Sequence, residues 1–194
     1  ASAGAGHALV IGGFDPSRAG AVGMVSGSLT SGMRTAISQA FPCATYSETN
    51  VLTSAYLSSV DVLILFSATG AASAITALTA AEQTALRSFV DAGGSALLTV
   101  DNSTFAGAST DLVNESLIDE FGLDVTGTLS SNQPATVIAS HAIVNGPHGV
   151  VTGFVTPFPG WFDNLGPYAQ TIATLDANGQ SCLAVIEPAA LAAR

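Results

Sequence analysis

Polar side chains able to do chemistry follow several apolar runs of this sequence. In chain order they are Asp15 and Arg18, then Ser67 and Thr69, then Asp101, Asn102, Ser103 and Thr104. If the runs are parallel strands, their carboxyl ends meet at one edge of a sheet, where ligands bind. Asp15 and Asp101 would then form a carboxylate pair suited to acid/base work or to holding a cation.

These residues also have simpler structural explanations. Asp15 precedes a proline, which is typical of a turn, and Asp101 could cap a loop. Ser67 and Ser103 follow strands, but neither lies in a Gly-x-Ser-x-Gly elbow, and no histidine has a predicted place beside them. Whether the chain is an enzyme therefore stays open at the level of sequence.

Metal and nucleotide sites are only weakly indicated. The histidines are His7, His141 and His148, and the last two are too far apart for a helical metal pair. Gly12-Gly13 lacks the Gly-x-Gly-x-x-Gly spacing of a phosphate loop and any downstream lysine. We predict no metal and no cofactor.

Aromatic residues crowd a short stretch rich in proline and glycine, Pro157 to Phe162. A stiff loop that carries Phe158 and Trp161 orders apolar surface in advance, which lowers the entropy lost on binding. Such rings can stack on sugars, so Trp161 is the preferred binding residue and is expected to be exposed or half-exposed. The alternative is that the rings fold over a sheet edge and simply cover it.

The composition excludes some partners. With four arginines, no lysine and a formal net charge of -10, the chain would repel nucleic acid and anionic membranes. Only 9% of residues are charged, and small and hydroxyl-bearing residues are abundant, a composition that fits exported bacterial-type proteins. From this composition we expect a secreted or cell-surface protein. No apolar run is long enough to cross a membrane.

The cysteines Cys43 and Cys182 form an even pair in a chain that otherwise avoids cysteine. That usage predicts one disulfide in an oxidising compartment, worth about 4 to 5 kcal/mol in the chain-entropy model. Two buried thiols are the alternative.

The pattern of apolar residues predicts an α/β fold. Runs at 7–13, 60–66 and 96–100 read as strands buried on both faces, and 44–48 could be another. A helix is predicted from apolar residues at four-residue steps between Leu29 and Phe41, and a second from the capping box Thr79 to Glu82. A further helix is predicted from Val113 to Phe121.

This alternation, which holds to about residue 122, predicts a three-layer, mostly parallel, flavodoxin-like sheet with helices on both faces. Beyond it, an apolar run at 136–139 is followed by two runs at 169–175 and 181–186, and Asn178-Gly179 between the last two predicts a C-terminal antiparallel hairpin. We predict a single domain over 1–194.

The stretch from Val60 to Leu98 resembles the class I glutamine amidotransferase-like superfamily, above all its non-amidotransferase branch of trehalose-utilisation-like and bacterial surface-protein accessory domains. The segment His141 to Gly146 resembles the His-Pro-Ile segment of that branch, with Ala142 in place of proline. The resemblance covers residues 7 to about 187. Members usually add one more strand after the equivalent of Pro188, so the chain could be a fragment of, or module within, a longer exported protein.

Amidotransferases place a nucleophilic cysteine after the strand that is 96–100 here, yet this sequence continues with Asp101 to Thr104. We therefore predict a non-catalytic module that binds a glycan or assembles with other proteins. One alternative is a hydrolase of carbohydrate or ester substrates that uses Asp15, Asp101 and Ser103. Another is a self-assembling surface or filament subunit, which would form homo-oligomers.

Overall fold

The structure, a computed structural model, describes residues 8–67, 76–102 and 108–187. Its contacts divide the chain into two compact units, Ala1–Val100 and Asp101–Arg194. Each unit has sheets of its own.

The first unit is built on a parallel sheet flanked by helices, as the alternating pattern predicted. The strand order is β2-β1-β3-β4, and all three strand pairs are parallel. In chain order the elements are β1 (Val10–Phe14), α1 (Pro16–Ala19), a 3-10 turn (Gly20–Val22), α2 (Ser31–Ala40), β2 (Thr45–Thr49), α3 (Ser54–Leu57), β3 (Val62–Phe66), α4 (Ala80–Asp91) and β4 (Ser95–Thr99).

Helix α2 covers one face of this sheet. Ile11, Met24 and Ile64 form a buried cluster, and Met33 and Ile37 from α2 pack against it. The four-residue spacing therefore identified the helix correctly. Leu29 and Phe41, at the two ends of that pattern, lie just outside the helix and are exposed.

Glycine at two consecutive positions lets other groups approach β1 closely. A Cβ at Gly12 would lie 2.7 Å from the Tyr56 hydroxyl, and one at Gly13 would lie 2.8 Å from the carbonyl oxygen of Ile64. The Tyr56 hydroxyl accepts a 3.0 Å hydrogen bond from the Gly13 N–H. Tight packing explains these glycines without a phosphate ligand.

In its described residues, the second unit combines one α-helix with antiparallel strands. The strands form sheets of order β10-β5, β12-β11-β6-β9 and β7-β8, and every pair is antiparallel. The elements are α5 (Ala108–Ile118), a 3-10 turn (Asp119–Phe121), β5 (Asp124–Thr126), β6 (Gln133–Val137), β7 (Asn145–Gly146), β8 (Gly149–Val150), β9 (Gly153–Thr156), β10 (Trp161–Asn164), β11 (Ala169–Leu175) and β12 (Ser181–Ile186).

The predicted C-terminal hairpin is confirmed as β11 and β12. Its turn places Gly179 at φ 72°, where glycine is favoured, and the Asn178 side chain accepts a 3.0 Å hydrogen bond from the Gln180 N–H. The hairpin is only half of a four-stranded sheet, because β6 and β9 continue it beside β11.

The predicted disulfide is not formed. Cys43 and Cys182 are both free thiols, Cys43 exposed after α2 and Cys182 half-buried on β12. Sulfur of Cys182 donates instead toward the Ala173 carbonyl oxygen of its own sheet, at 3.6 Å. An even count of cysteines carries no geometric information, and disulfide geometry is demanding.

Within the described ranges, no helix combines the length and the apolar character that crossing a membrane requires.

Candidate functional site

Asp15 lies at the carboxyl end of β1, where it caps α1. Its carboxylate accepts hydrogen bonds from the backbone N–H groups of Ser17, at 2.9 Å, and Arg18, at 3.3 Å, and from the Ser17 hydroxyl. This is the turn-capping role, because the carboxylate satisfies N–H groups that the short helix leaves without partners.

Arg18 is held by an ion pair with Glu82. Its Nη1 and Nη2 donate to the two carboxylate oxygens of Glu82, and Nη1 also donates to the Asn50 carbonyl oxygen at 2.8 Å. The guanidinium lies 4.0 Å from the centre of the Phe14 ring. Among the described residues Nε has no acceptor, but it is buried. Arg18 thus joins α1, the loop after β2 and the start of α4.

Glu82 is 3% exposed and serves both Arg18 and the start of α4. It accepts hydrogen bonds from the Thr79 N–H at 2.9 Å and the Leu52 N–H at 3.1 Å, so the predicted capping box is confirmed. Burial alone would raise the pKa of Glu82, but the hydrogen bonds from Arg18, Thr79 and Leu52 outweigh it and lower the pKa to about 2.

Asp101 and Asn102 belong to a hydrogen-bond network in the second unit. The Asp101 carboxylate accepts from the Asn102 N–H at 2.8 Å, and the side chain of Asn114 bonds both the N–H and the carbonyl oxygen of Asp101. Ser103 and Thr104, like Thr69, fall outside the described residues. The carboxylates of Asp15 and Asp101 thus each make local capping bonds within their own unit.

The aromatic segment, defined as Phe158 to Trp161, is anchored by the same network. The buried Asn102 side chain donates to the Phe158 carbonyl oxygen at 2.9 Å and accepts from the Thr128 hydroxyl at 3.0 Å. The Leu129 N–H donates to the Pro159 carbonyl oxygen at 2.9 Å. Side chain and backbone bonds therefore fix this segment on both sides.

Phe158 is held out of the core in an unusual backbone conformation. Its φ is 45°, the one positive value among the described residues other than glycine, and it is 51% exposed. A phenylalanine at positive φ is strained, and such strain is maintained only where the surrounding contacts over-determine it. The Asn102 bond to its carbonyl oxygen is one of those contacts.

Trp161 opens β10, which pairs with β5 through Thr126. The indole is half-buried and lies against Gly127, where a Cβ would come within 2.1 Å of the ring. Sequence reasoning placed Trp161 in a loop, because the neighbouring prolines and glycine concealed a strand of only four residues.

The described histidines do not form a metal site. His141 accepts a 3.1 Å hydrogen bond from the Ile143 N–H at Nδ1, and its Nε2 lies 2.7 Å from Glu187. Both ring nitrogens therefore have protein partners. In the described part of the chain, no group of three His, Cys, Asp or Glu side chains could hold a metal ion.

Neither cysteine lies in an amidotransferase-type nucleophile position. Cys43 stands between α2 and β2, and Cys182 lies within β12. Burial raises the pKa of the Cys182 thiol to about 11, which leaves little thiolate at neutral pH.

Sequence reasoning missed the partners of several site residues. It assigned Glu82 to a helix cap but not to Arg18, which is 64 positions away. It also missed Asn114, whose side chain holds Asp101. The available signal was that Asn114 is a polar residue on the predicted helix 113–121, but the sequence does not indicate which residue its side chain contacts.

No family model matches the sequence, and no curated protein matches it. A solved structure from Thermoplasma acidophilum, of a protein described as a candidate GMP synthase subunit, is similar with a TM-score of 0.56 and 14% identity, covering 93% of this chain and 79% of that one. A ThuA-like protein from Bacteroides uniformis is similar with a TM-score of 0.53 and 10% identity, covering 91% and 71%. At such identities the likeness shows a shared fold alone, and the predicted flavodoxin-like α/β architecture is confirmed.

Proposed function

We propose that this chain is a non-catalytic amidotransferase-like module of an exported protein, and that it binds glycans through its aromatic segment. The observation that carries the proposal is Phe158, half-exposed and held at positive φ by contacts to its own backbone. Fixing an aromatic ring before a ligand arrives lowers the entropy cost of binding, and aromatic faces are good platforms for sugar rings.

The state of the candidate catalytic groups supports a binding role over a hydrolytic one. The Asp15 carboxylate accepts three hydrogen bonds from its own turn, and Arg18 is paired with Glu82. A general acid or base needs a carboxyl group within reach of a substrate proton. Local capping of Asp15 and Asp101 therefore favours the structural explanation of both residues.

The experiment is a binding survey of soluble polysaccharides by affinity electrophoresis, with product analysis to detect hydrolysis. Phe158→Gly is the decisive variant, because glycine adopts φ 45° freely and so removes the ring while favouring the loop conformation. Phe41→Ala is the matched control, since Phe41 is a comparably exposed phenylalanine in the first unit.

We expect that one of the polysaccharides, placed in the gel, retards the migration of the parent chain. This retention should be lost in Phe158→Gly and kept in Phe41→Ala, and no cleavage products should appear. Equal retention by Phe158→Gly would disprove the role of the aromatic segment. Release of reducing ends that Asp15→Asn or Asp101→Asn abolishes would establish the hydrolase instead.

Assembly with other protein chains is a second candidate, favoured by one feature. Between Asp124 and Asp163 the sequence has no Asp, Glu, Lys or Arg, and this charge-free segment (125–162) carries several exposed aliphatic side chains. They are Ile138, Ile143, Val150, Val151 and Val155. Apolar surface without charge can be covered by a partner at little desolvation cost.

A further inference from the structure

A groove of about 600 Å³ lies beside α2 in the first unit. The exposed Val25 and Tyr46 of the neighbouring β2 line one part of it. Polar residues on successive turns of the helix line the rest, namely Ser31, Arg34, Thr35, Ser38 and Gln39. Residues three and four apart share one face of a helix, so these side chains form one continuous polar wall. Strand β2 is an edge of the sheet, which leaves the groove accessible.

Arg34 is fixed in this wall by one of its terminal nitrogens. Its Nη1 donates to the carbonyl oxygens of Gly27, at 3.0 Å, and Met24, at 3.3 Å, and to the Thr30 hydroxyl. Nε and Nη2 make no hydrogen bond to any residue in the described ranges. Those two nitrogens form one side of the guanidinium fork, whose parallel N–H bonds match the two oxygens of a carboxylate.

The charge of Arg34 is also unmatched. Arg18 is paired with Glu82 and Arg87 with Asp91, whereas Arg34 has no carboxylate partner among the residues that the structure describes. The chain carries a formal net charge of -10. The carboxylate of Glu48, on β2 two residues beyond Tyr46, accepts hydrogen bonds from the backbone N–H groups of Val25 and Ser26 and makes no described bond to Arg34. An anionic ligand would therefore meet a cation whose position is already fixed.

The rest of the wall has the groups that recognise hydroxyls. The Tyr46 hydroxyl donates to the Arg34 carbonyl oxygen at 2.9 Å and lies 3.0 Å from the Ser38 hydroxyl, so both are held in place. Hydroxyl oxygens keep acceptor capacity after donating one hydrogen bond. The exposed Gln39 amide adds two donors and an acceptor.

We propose that this groove binds a sugar acid, a small polyol that carries one carboxylate. The carboxylate lies on Nε and Nη2 of Arg34, and the hydroxyls of the sugar lie along Ser38 and Gln39. This site is in the first unit and the aromatic segment is in the second. The inference therefore does not rest on the proposed glycan-binding role.

The test is a calorimetric titration of the whole chain with glucuronate, compared with glucose and with propionate. We expect saturable glucuronate binding that is at least about tenfold tighter than binding of either comparison compound, because each lacks one of the two recognised groups. Arg34→Lys keeps the charge but not the fork, and should weaken binding by about tenfold. Arg87→Lys, whose partner is Asp91, should leave binding unchanged.

Gln39→Ala guards against a folding defect, since no described hydrogen bond depends on the Gln39 side chain. It should weaken glucuronate binding about threefold at an unchanged melting temperature. The proposal is overturned if glucuronate does not saturate, if propionate binds as tightly, or if Arg34→Lys binds glucuronate as the parent chain does. Phe158→Gly should bind glucuronate normally, which separates this site from the aromatic segment.

Discussion

At the scale of single residues, the carboxylate of Glu82 has two structural roles. It completes the capping box of α4, and it neutralises Arg18, whose side chain is 10% exposed. A charge buried to this degree is tolerated only when it is paired and hydrogen-bonded. The sequence contains the box as a local motif, but nothing in it identifies a partner so distant along the chain.

We predict that Glu82→Gln destabilises the protein by about 3 to 5 kcal/mol at pH 7, because it leaves Arg18 buried without a counter-charge. The native pKa of Glu82 is about 2, against 4.5 for an ordinary glutamate. The ion pair therefore contributes fully above about pH 5, and its contribution is lost as the pH falls through 4.5 toward 2.

Urea unfolding at several pH values measures this effect. The stability gap between the parent chain and Glu82→Gln should narrow by about 3 kcal/mol between pH 6 and pH 2. Asp91→Asn is the control, because the more exposed Arg87–Asp91 pair should contribute only about 0.5 kcal/mol. A gap that stays constant with pH would show that the pair is not the cause.

The two cysteines should differ in reactivity. Cys43 is exposed, whereas burial raises the pKa of Cys182 to about 11. Iodoacetamide at pH 8, without reductant, should therefore modify one site in the folded protein and two after unfolding. Mass spectrometry counts the adducts, and Cys43→Ser should abolish the adduct that forms in the folded protein. Failure of the unfolded, unreduced protein to react at either cysteine would contradict the free thiols.

At the scale of elements, the first unit follows its sequence closely. Strand β3 is a continuous apolar run, and α2 and α4 carry helical spacing or a cap, so local pattern and tertiary packing agree. The second unit was predicted less completely. Its strands β5, β9 and β10 have three or four residues, too few for periodicity to reveal.

Gly127 follows β5 at φ 74°, and the ring of Trp161, the first residue of β10, lies against it. We predict that Gly127→Ala destabilises the protein by about 3 kcal/mol, from backbone strain plus displacement of the ring. Gly179→Ala measures the backbone strain alone, because the φ of Gly179 is 72° and no atom of the described residues, apart from its two chain neighbours, lies within 4 Å of the added Cβ.

Thermal unfolding of both variants measures the difference between their stabilities. Gly179→Ala should cost only about 1 kcal/mol, the value for backbone strain alone. The Trp161 emission should change in Gly127→Ala and stay constant in Gly179→Ala. Equal losses of stability in the two variants would mean that the contact between Gly127 and Trp161 contributes nothing.

At the scale of the whole molecule, acidic residues are spread along most of the chain but are absent from the charge-free segment. A net charge of -10 keeps copies apart in solution, so association through an uncharged surface meets the least repulsion. If the chain assembles, light scattering should detect a dimer or larger species at high concentration. Val155→Lys should return it to the monomer, and Val51→Lys, on the first unit, should not. A monomer throughout would remove the assembly candidate.

A glycan that binds the aromatic segment would lie beside Trp161, the one tryptophan in the chain. Tryptophan fluorescence therefore reports on this surface alone when the chain is titrated with the polysaccharide that retards it in the binding survey. We expect a saturable shift in emission whose midpoint equals that of a calorimetric titration with the same polysaccharide. The shift should be absent in Phe158→Gly and present in Phe41→Ala. Calorimetric binding with unchanged Trp161 emission would contradict the proposal, because the glycan would then be bound elsewhere on the chain.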